Sequence, residues 1–597
     1  MKHRLISLAF VLSVLPFSTS FLHAHAAEPV TPLADRETAL QALFKEYWDA
    51  YLQHSPEFAS TIGDTRFNDQ VTDYSVRAVN DWLAFEQNEM MRLAAIDPTG
   101  FTDQEVTSRD LLLRQFLDDQ EAADFKEWEM PISQQDGIYS TYPDLATQLN
   151  FSTVKDYHDW IARLRKIPHA FDQVITNMSI GIDDQRVPPK FILQEALAEV
   201  QQLAAQKPED SPLALPIKHF PSSVSTADQQ RIREEMLEVI QRQVLPAYKR
   251  LAQFIQSACI PAGRDQPGIW ALSDGDKYYQ FRIRRYTSTN LTAAQIHQIG
   301  LNQVGQDEAA MLVIAQRLGF KDRKSFEMSL KTNTKLHPAS SEALLDAFRG
   351  YLGPMQAKLP QFFGHIPKAP FEVVAVPDYL APNAAPAYYE SGTPDGRRPG
   401  RLYINTYNAT GRNLYDVEAI AYHEGIPGHH LQISIAQELQ GVPEFRKFQN
   451  YTAFDEGWGL YAEQLGKDAG FYTDPYSDYG RLEADIWRAI RLVVDTGVHS
   501  QHWTRQQMVD YFHEHSALDE STVQSEVDRY IANPGQALAY KVGELRLLDL
   551  REEAKAGLGS KFDIRAFHDE VLDSGSLPLD VLTDRIHAWI AKAKATQ

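Results

Sequence analysis

The chain has 597 residues, and its 80 acidic residues against 58 Lys and Arg give a formal net charge of −22 at pH 7. A protein this acidic is a poor binder of nucleic acid or of an anionic membrane surface, so we predict neither as a partner. Its one cysteine, Cys259, excludes an internal disulfide framework, and apolar neighbours predict a buried, inert thiol.

The N-terminus has the parts of a secretory signal peptide. Basic residues Lys2 to Arg4 precede an apolar run from Leu5 to about Phe17, and Ala24 to Ala26 fits a small-x-small cleavage site. The run is short for a membrane span, although an uncleaved anchor is the alternative. No cysteine directly follows it, so we expect no lipid attachment. We predict that residues 1–26 are removed and that the protein is exported, periplasmic or secreted, with no remaining membrane span.

Amphipathic helices dominate the rest of the chain. Thr292 opens a capping box that begins one long helix. We predict an N-terminal helical region over residues 27–285 and a catalytic region over 286–597, with one continuous domain as the alternative. The strongest apolar stripes of helical period cover Glu37–Leu52, Asn80–Ala94, Gln104–Phe116, Val154–Leu164 and Gln229–Phe254.

Strand-like stretches are few. Lys277–Arg285, Phe371–Val376 and Arg401–Asn405 alternate and carry aromatic or β-branched residues. A loop rich in Pro, Ala and Gly, Pro377–Gly400, separates the last two, and long loops of this kind are often functional. The predicted fold class is therefore mainly α, a large helical protein with a small central β-sheet.

The densest cluster of chemically active residues lies in Tyr422–Gln432, with the sequence Y-H-E-G-I-P-G-H-H-L-Q. It begins like H-E-x-x-H, in which two histidines four residues apart on a helix bind zinc and the glutamate acts as general base. His423 and Glu424 fit this pattern, but Pro427 occupies the position of the second histidine.

The second metal ligand is then His429 or His430. In an unbroken helix, the spacing of seven from His423 to His430 returns to within about 20° of the same face, whereas a spacing of six points about 120° away. Pro427 and Gly428 should break or widen this turn and bring one of the two histidines back. Geometry alone leaves both open.

A catalytic zinc site needs a third protein ligand. The segment Asp455–Glu463, D-E-G-W-G-L-Y-A-E, begins a helical pattern in which Glu456 lies off the apolar stripe. We predict Glu456 as the ligand and Glu463, on the same face, as the residue that orients a ligand.

These residues resemble the bacterial domain-of-unknown-function family 885. The hallmarks of that family are an H-E-x-x-P-G-H-H signature and an E-G-W-x-L-Y-x-E segment, which stand here as His423–His430 and Glu456–Glu463. Pro534–Gly543 and Val494–His499 are similar to further blocks of the family. The resemblance spans most of the chain.

The family in turn resembles the gluzincin metallopeptidases, which implies a helical enzyme with an enclosed cleft and one zinc ion on two histidines and a glutamate. Related gluzincins often carry Gly before the second zinc histidine, and Gly428 precedes His429. The resemblance thus implies His423, His429 and Glu456 as zinc ligands, while the unbroken-helix argument favours His430.

Glu424 would act as general base, and a donor is needed for the negative charge of the transition state. Candidate donors are Tyr540, Tyr530, His499 and whichever of His429 and His430 does not bind zinc. We favour Tyr540, from the third family-like block, and assign His430 a catalytic role. Packing of a C-terminal helix is the alternative for both tyrosines.

The predicted function is hydrolysis of short peptides by a zinc-dependent exported peptidase. Alternatives are a metal-dependent hydrolase of another amide or ester and a non-catalytic, metal-binding exported protein. Gly400–Asn405 is predicted as an edge strand that aligns substrate. Arg397, Arg398 and Arg401 could hold a terminal carboxylate, or form an ordinary solvent-facing basic loop.

Overall fold

The computed structural model describes residues 31–377, 381 and 385–595, so the predicted signal peptide at residues 1–26 lies outside the described residues. The fold is mainly α with one small sheet, which confirms the predicted fold class. The first helices are α1 Leu33–His54, α2 Pro56–Thr61, α3 Val76–Ala94, α4 Asp103–Ala123, α5 Ile138–Gln148, α6 Val154–Asp183, α7 Lys190–Ala204, α8 Thr226–Val239, α9 Leu245–Phe254, α10 Ile260–Ala262, α11 Gly275–Thr287 and α12 Ala293–Arg317. They are followed by α13 Arg323–Thr332, α14 Ser341–Phe362, α15 Val417–Glu424, α16 His429–Glu438, α17 Phe445–Phe448, α18 Thr452–Asp468, α19 Pro475–Ser500, α20 Arg505–His515, α21 Glu520–Ala532, α22 Ala539–Leu558, α23 Ile564–Leu572 and α24 Leu579–Ala595.

The helices predicted from apolar stripes are all present. The capping box before α12 is formed, because the Thr292 side chain accepts from the Gln295 N–H and the Gln295 side chain accepts from the Thr292 N–H. The stretch predicted as one helix over Gln229–Phe254 runs through α8 and α9, which a π-helical turn joins. Cys259 is buried as expected, and burial raises the pKa of its thiol to about 12.

The sheet has the strand order β1-β3-β2, with β1 Phe371–Ala375, β2 Ala387–Glu390 and β3 Gly400–Ile404. Strand β1 pairs parallel and β2 antiparallel with β3. Two of the predicted strands, those near residues 371 and 401, are confirmed. Because β3 is central, the prediction that Gly400–Asn405 forms an edge strand is wrong.

The prediction of a strand over Lys277–Arg285 is also wrong, since these residues lie in helix α11. The aromatic residues of this stretch alternate loosely with polar ones, but the residues that make buried contacts repeat with the period of a helix. The Tyr278 hydroxyl and the Arg282 guanidinium, four residues apart, both donate to Glu127 Oε1. The predicted regional boundary after residue 285 therefore falls inside a helix.

One apolar cluster surrounds the elements that carry the H-E motif. It joins α14, α15, α16, α18, α22, α23, α24 and β3, and Tyr422, Trp458 and Leu547 are wholly buried in it. Burial of each such side chain stabilises the fold by roughly 1.5–3 kcal/mol. Helices α18 and α22 approach closely where Gly457 meets Gly543, since a Cβ on Gly457 would lie 2.5 Å from the Gly543 carbonyl carbon.

Across the described part of the chain, none of the helices has the combination of length and apolar character that a membrane span requires.

Candidate metal centre

A break between α15 and α16 folds the H-E segment back on itself. Helix α15 ends at Glu424 and α16 begins at His429. Gly428 lies so close to the end of α15 that a Cβ there would sit 1.9 Å from the His423 carbonyl oxygen and 2.3 Å from that of Tyr422. Only glycine permits this turn. The predicted break at Pro427 and Gly428 is therefore confirmed.

The break is held against α18 by a hydrogen bond from the Trp458 indole N–H to the Pro427 carbonyl oxygen, at 2.8 Å. Trp458 is wholly buried beside Phe363 and Tyr461. The tryptophan of the E-G-W segment thus fixes the turn that positions α16.

Three side chains converge at this turn. Glu456 Oε2 lies 3.6 Å from His423 Nε2 and 3.5 Å from His429 Nε2, and one ligand atom from each residue lies within 4.8 Å of the others. Among the described residues, no other set of His, Cys, Asp and Glu side chains converges in this way. His423, His429 and Glu456 are the ligand set that the family resemblance implies.

The distances suit a tetrahedral zinc ion. Zinc bonds of about 2.0–2.1 Å in tetrahedral geometry place neighbouring ligand atoms about 3.3 Å apart. The two imidazole rings are perpendicular, with centroids 4.9 Å apart, so both can direct a nitrogen at one point. Two imidazoles and one carboxylate also form the donor set of catalytic zinc sites, which leave one position open.

Glu463 orients the His423 ring through the nitrogen that faces away from Glu456. His423 Nδ1 lies 2.8 Å from Glu463 Oε1, which fixes the ring with Nε2 toward Glu456. Gly459 makes room for the ring, because a Cβ at that position would lie 2.7 Å from His423 Nε2. Both residues belong to α18, so the E-G-W-G-L-Y-A-E segment supplies one ligand and the support of another.

The two histidines and Glu456 shift one another's pKa values. Burial disfavours the charged form of each imidazole and so lowers its pKa. Hydrogen bonds to Glu456, and for His423 also to Glu463, raise the pKa by more than burial lowers it. The pKa of His423 rises to about 9 and that of His429 also rises. Burial disfavours the charged form of Glu456 too, yet the two histidines hold its pKa well below the ordinary value. Protons on the imidazoles offset part of the negative charge of the carboxylates, and a divalent cation bound here would displace such protons.

Glu424 lies beside the ligands and faces strand β2. Its Oε2 accepts the backbone N–H of Tyr389 at 2.9 Å. Because that N–H points to Glu424, it points away from β3, and the outer edge of β2 is turned toward α15. No sequence pattern indicated Tyr389, because β2 lies within the stretch predicted as a loop.

His430 is separated from the ligand group. Its Nδ1 lies 2.9 Å from the Tyr389 hydroxyl, its ring stacks on Phe371 with centroids 4.4 Å apart, and it hydrogen-bonds to the backbone of Ala369. Burial lowers its pKa to about 4. The protein thus engages the polar atoms of His430, and the contacts tie β1 and β2 to α16.

Tyr540, the predicted transition-state donor, lies on α22. Its hydroxyl accepts a hydrogen bond from Arg529 Nη2 at 3.1 Å, which leaves the hydroxyl proton available to another group. Tyr540 is one turn before Gly543, the residue that meets α18 beside Glu456. The other candidates are engaged internally: the Tyr530 hydroxyl donates to Glu526, and His499 hydrogen-bonds to the backbone of Ile269 and Tyr530. The role of Tyr540 stays a prediction.

Arg397, Arg398 and Arg401, for which a carboxylate site and a solvent-facing basic loop were the two alternatives, all have partners within the protein. Arg398 is buried and donates to the carbonyl oxygens of Gln148, Thr61 and Ser391, so it fastens the loop before β3 to α2 and α5. The other two arginines form ion pairs with Asp395 and Glu372.

Comparisons with known proteins agree with the family resemblance. The model of a family described as bacterial protein of unknown function (DUF885) matches residues 56–586. A protein from Colwellia psychrerythraea, described as a putative lipoprotein, is 28% identical, with a TM-score of 0.88 over 93% of this chain and 100% of its own. A protein from Shewanella oneidensis, described in the same way and as of unknown function, is 18% identical, with a TM-score of 0.72 over 91% of this chain and 99% of its own. The latter likeness shows the fold alone. No curated protein matches the chain.

Proposed function

The chain belongs to the bacterial family of unknown function DUF885, and from its candidate site we propose that it is a zinc-dependent peptidase that hydrolyses short peptides. The observation that supports this most is the convergence of His423, His429 and Glu456 beside a carboxylate, Glu424, that is not itself in the group. A structural metal site has no need for a base next to its ligands. The arrangement is similar to that of gluzincin peptidases.

The ligands would be His423 Nε2, His429 Nε2 and one oxygen of Glu456. When bound, zinc supplies a Lewis acid that polarises a carbonyl group and activates water near neutral pH. The Tyr389 N–H holds Glu424 by Oε2, and Oε1 has no protein partner among the described residues. We assign to this oxygen the proton transfer from water to the leaving amine.

The outer edge of β2 suits an extended peptide. Backbone groups alternate along a strand, so Ala387 presents its N–H and C=O on the same side as Tyr389, away from β3. An edge of this kind binds an extended chain by main-chain hydrogen bonds. The edge faces α15, so a peptide bound there would pass alongside Glu424.

We also infer that the protein is exported. The basic, apolar and small-residue segments of residues 1–26 support this, as does the lipoprotein description of both similar proteins.

The test is Glu424→Gln in the protein prepared without a metal-affinity tag, assayed on a library of short peptides. The wild type should cleave peptides and hold zinc. The variant should keep its zinc and lose about 10²–10⁴-fold in kcat, the usual contribution of general base catalysis. Asp468→Asn, a carboxylate-to-amide change at the end of α18, serves as the control and should keep wild-type activity. Unchanged turnover in Glu424→Gln would overturn the mechanism.

A further inference from the structure

Two arginines, Arg491 and Arg529, contact Tyr540 on α22, and Arg488 lies one turn before Arg491 on α19. Arg488 and Arg491 come from α19 and Arg529 from α21; we call these three residues the arginine cluster. Arg491 is 2% exposed, donates through Nε to the Tyr530 hydroxyl and through Nη2 to Glu526, and has a buried Nη1 with no partner.

Arg488 also keeps free binding capacity, whereas Arg529 donates to Glu526, Gln536 and the Tyr540 hydroxyl. Arg488 donates through Nη1 to a backbone carbonyl in its own helix, its Nε is buried without a partner, and no carboxylate lies within 4.0 Å of it in the described part of the chain. Arg529 shares Glu526 with Arg491. Glu526 therefore pairs with two guanidinium groups, and the charge of Arg488 acts on it only at longer range, so that the three arginines carry a formal excess of two positive charges.

Such an excess is costly away from water. A buried charged donor without a partner destabilises a protein unless a ligand satisfies it. The cluster is not sealed, since the Arg529 side chain is 21% exposed and that of Glu526 13%. Planar guanidinium groups match carboxylates, to which they donate paired hydrogen bonds.

Tyr540 connects the cluster with the metal centre. Arg491 lies 4.4 Å from the centroid of the Tyr540 ring, and Arg529 donates to its hydroxyl. One turn further along α22, Gly543 touches Gly457, the neighbour of Glu456. Helix α22 thus links the arginine cluster to the helix that carries Glu456, and a peptide that extended from the metal centre past Tyr540 would meet a cationic group.

We propose that the arginine cluster binds the C-terminal carboxylate of the peptide substrate. The proposal rests on the proposed function for the identity of the ligand as a peptide. It makes the protein an exopeptidase that acts at the C-terminal end of short peptides and discriminates against chains without a free C-terminus.

Binding, measured without turnover, tests the proposal. In the Glu424→Gln background, calorimetry compares N-acetyl-trialanine with its C-terminal amide. The free acid should bind at least about 10-fold more tightly, which is the scale of one charged hydrogen bond. Arg488→Gln should remove this difference, and Arg488→Lys should restore part of it. Arg488 is chosen because Arg491 and Arg529 hold Glu526. Arg481→Gln, two turns earlier on α19 and paired with Asp478, is the control and should keep the full difference.

Equal affinity for the acid and the amide, or no binding of either at millimolar concentration, would overturn the proposal. So would an amidated peptide with a C-terminal glutamate that binds as well as the free acid, because a side-chain carboxylate would then suffice. The two proposals fail separately: loss of the acid preference leaves zinc-dependent cleavage standing, and acid-selective binding without cleavage in the wild type leaves the carboxylate site standing.

Discussion

The metal centre and the arginine cluster both bury charged side chains, and they balance charge in opposite ways. At the metal centre, even with both imidazoles protonated, His423 and His429 face three carboxylates, those of Glu424, Glu456 and Glu463. In the arginine cluster, Arg491 and Arg529 share the single carboxylate of Glu526, and Arg488 has no carboxylate within 4.0 Å among the described residues. The first region is suited to a cation and the second to an anion. The comparison indicates that each buried charge excess marks a place for a ligand of opposite sign.

Removing the single carboxylate of the arginine cluster should have the largest effect on stability. Glu526→Gln leaves three guanidinium groups without a counter-charge, and breaking a buried ion pair from one side costs about 3–5 kcal/mol. Denaturant unfolding should show this loss. Because 13% of the Glu526 side chain is exposed, the loss in the free energy of unfolding should lie at the lower end of this range. A change within about 0.5 kcal/mol would mean that solvent already neutralises the cluster.

A glutamate-to-glutamine substitution at the metal centre should lower the affinity for zinc more than it lowers the stability of the fold. Glu463→Gln replaces the acceptor behind His423 with an amide, and loss of such a supporting partner typically lowers metal affinity 10–100-fold. Competition with a zinc chelator measures this. Asp468→Asn on the same helix is the matched control. Equal zinc affinity in Glu463→Gln and wild type would show that His423 needs no support.

Zinc affinity should also depend on pH. The pKa of His423 is raised to about 9, so the metal-free protein carries a proton there at pH 7 that zinc must displace. Affinity should therefore increase as pH rises from 7 to 9, by about tenfold per unit for one displaced proton. Titrations in buffers with different ionisation enthalpies should record proton release. A flat affinity with no released proton would contradict the charge pairing described for the centre.

The sequence predicted most of the features that depend on a local pattern of residues. The apolar stripes gave the helices, and Pro427 with Gly428 indicated the break after Glu424. Spacing could not predict which of His429 and His430 lies beside His423 and Glu456, because this depends on how closely Gly428 packs on the carbonyl groups of Tyr422 and His423. Only the family resemblance pointed to His429.

Features that depend on tertiary contacts were missed. Strand β2 has only four residues and owes its place to pairing with β3, so no local pattern marked it. Lys277–Arg285 carries residues that favour strands, but its contacts with Glu127 and Asp495 suit a helix. For Arg398 the sequence allowed a carboxylate-binding role or a solvent-facing basic loop, whereas the residue is buried and donates to backbone carbonyl groups of α2 and α5.

Zinc content per chain in four variants tests the central claim most directly. Mass spectrometry of the wild type should find about one zinc, and His423→Ala, His429→Ala and Glu456→Ala should each lose it. His430→Gln should keep it, because His430 contacts Tyr389 and Phe371 and lies outside the ligand group. Circular dichroism verifies that each variant is folded. A wild type without zinc, or zinc that is kept in His429→Ala and lost in His430→Gln, would contradict the proposed centre.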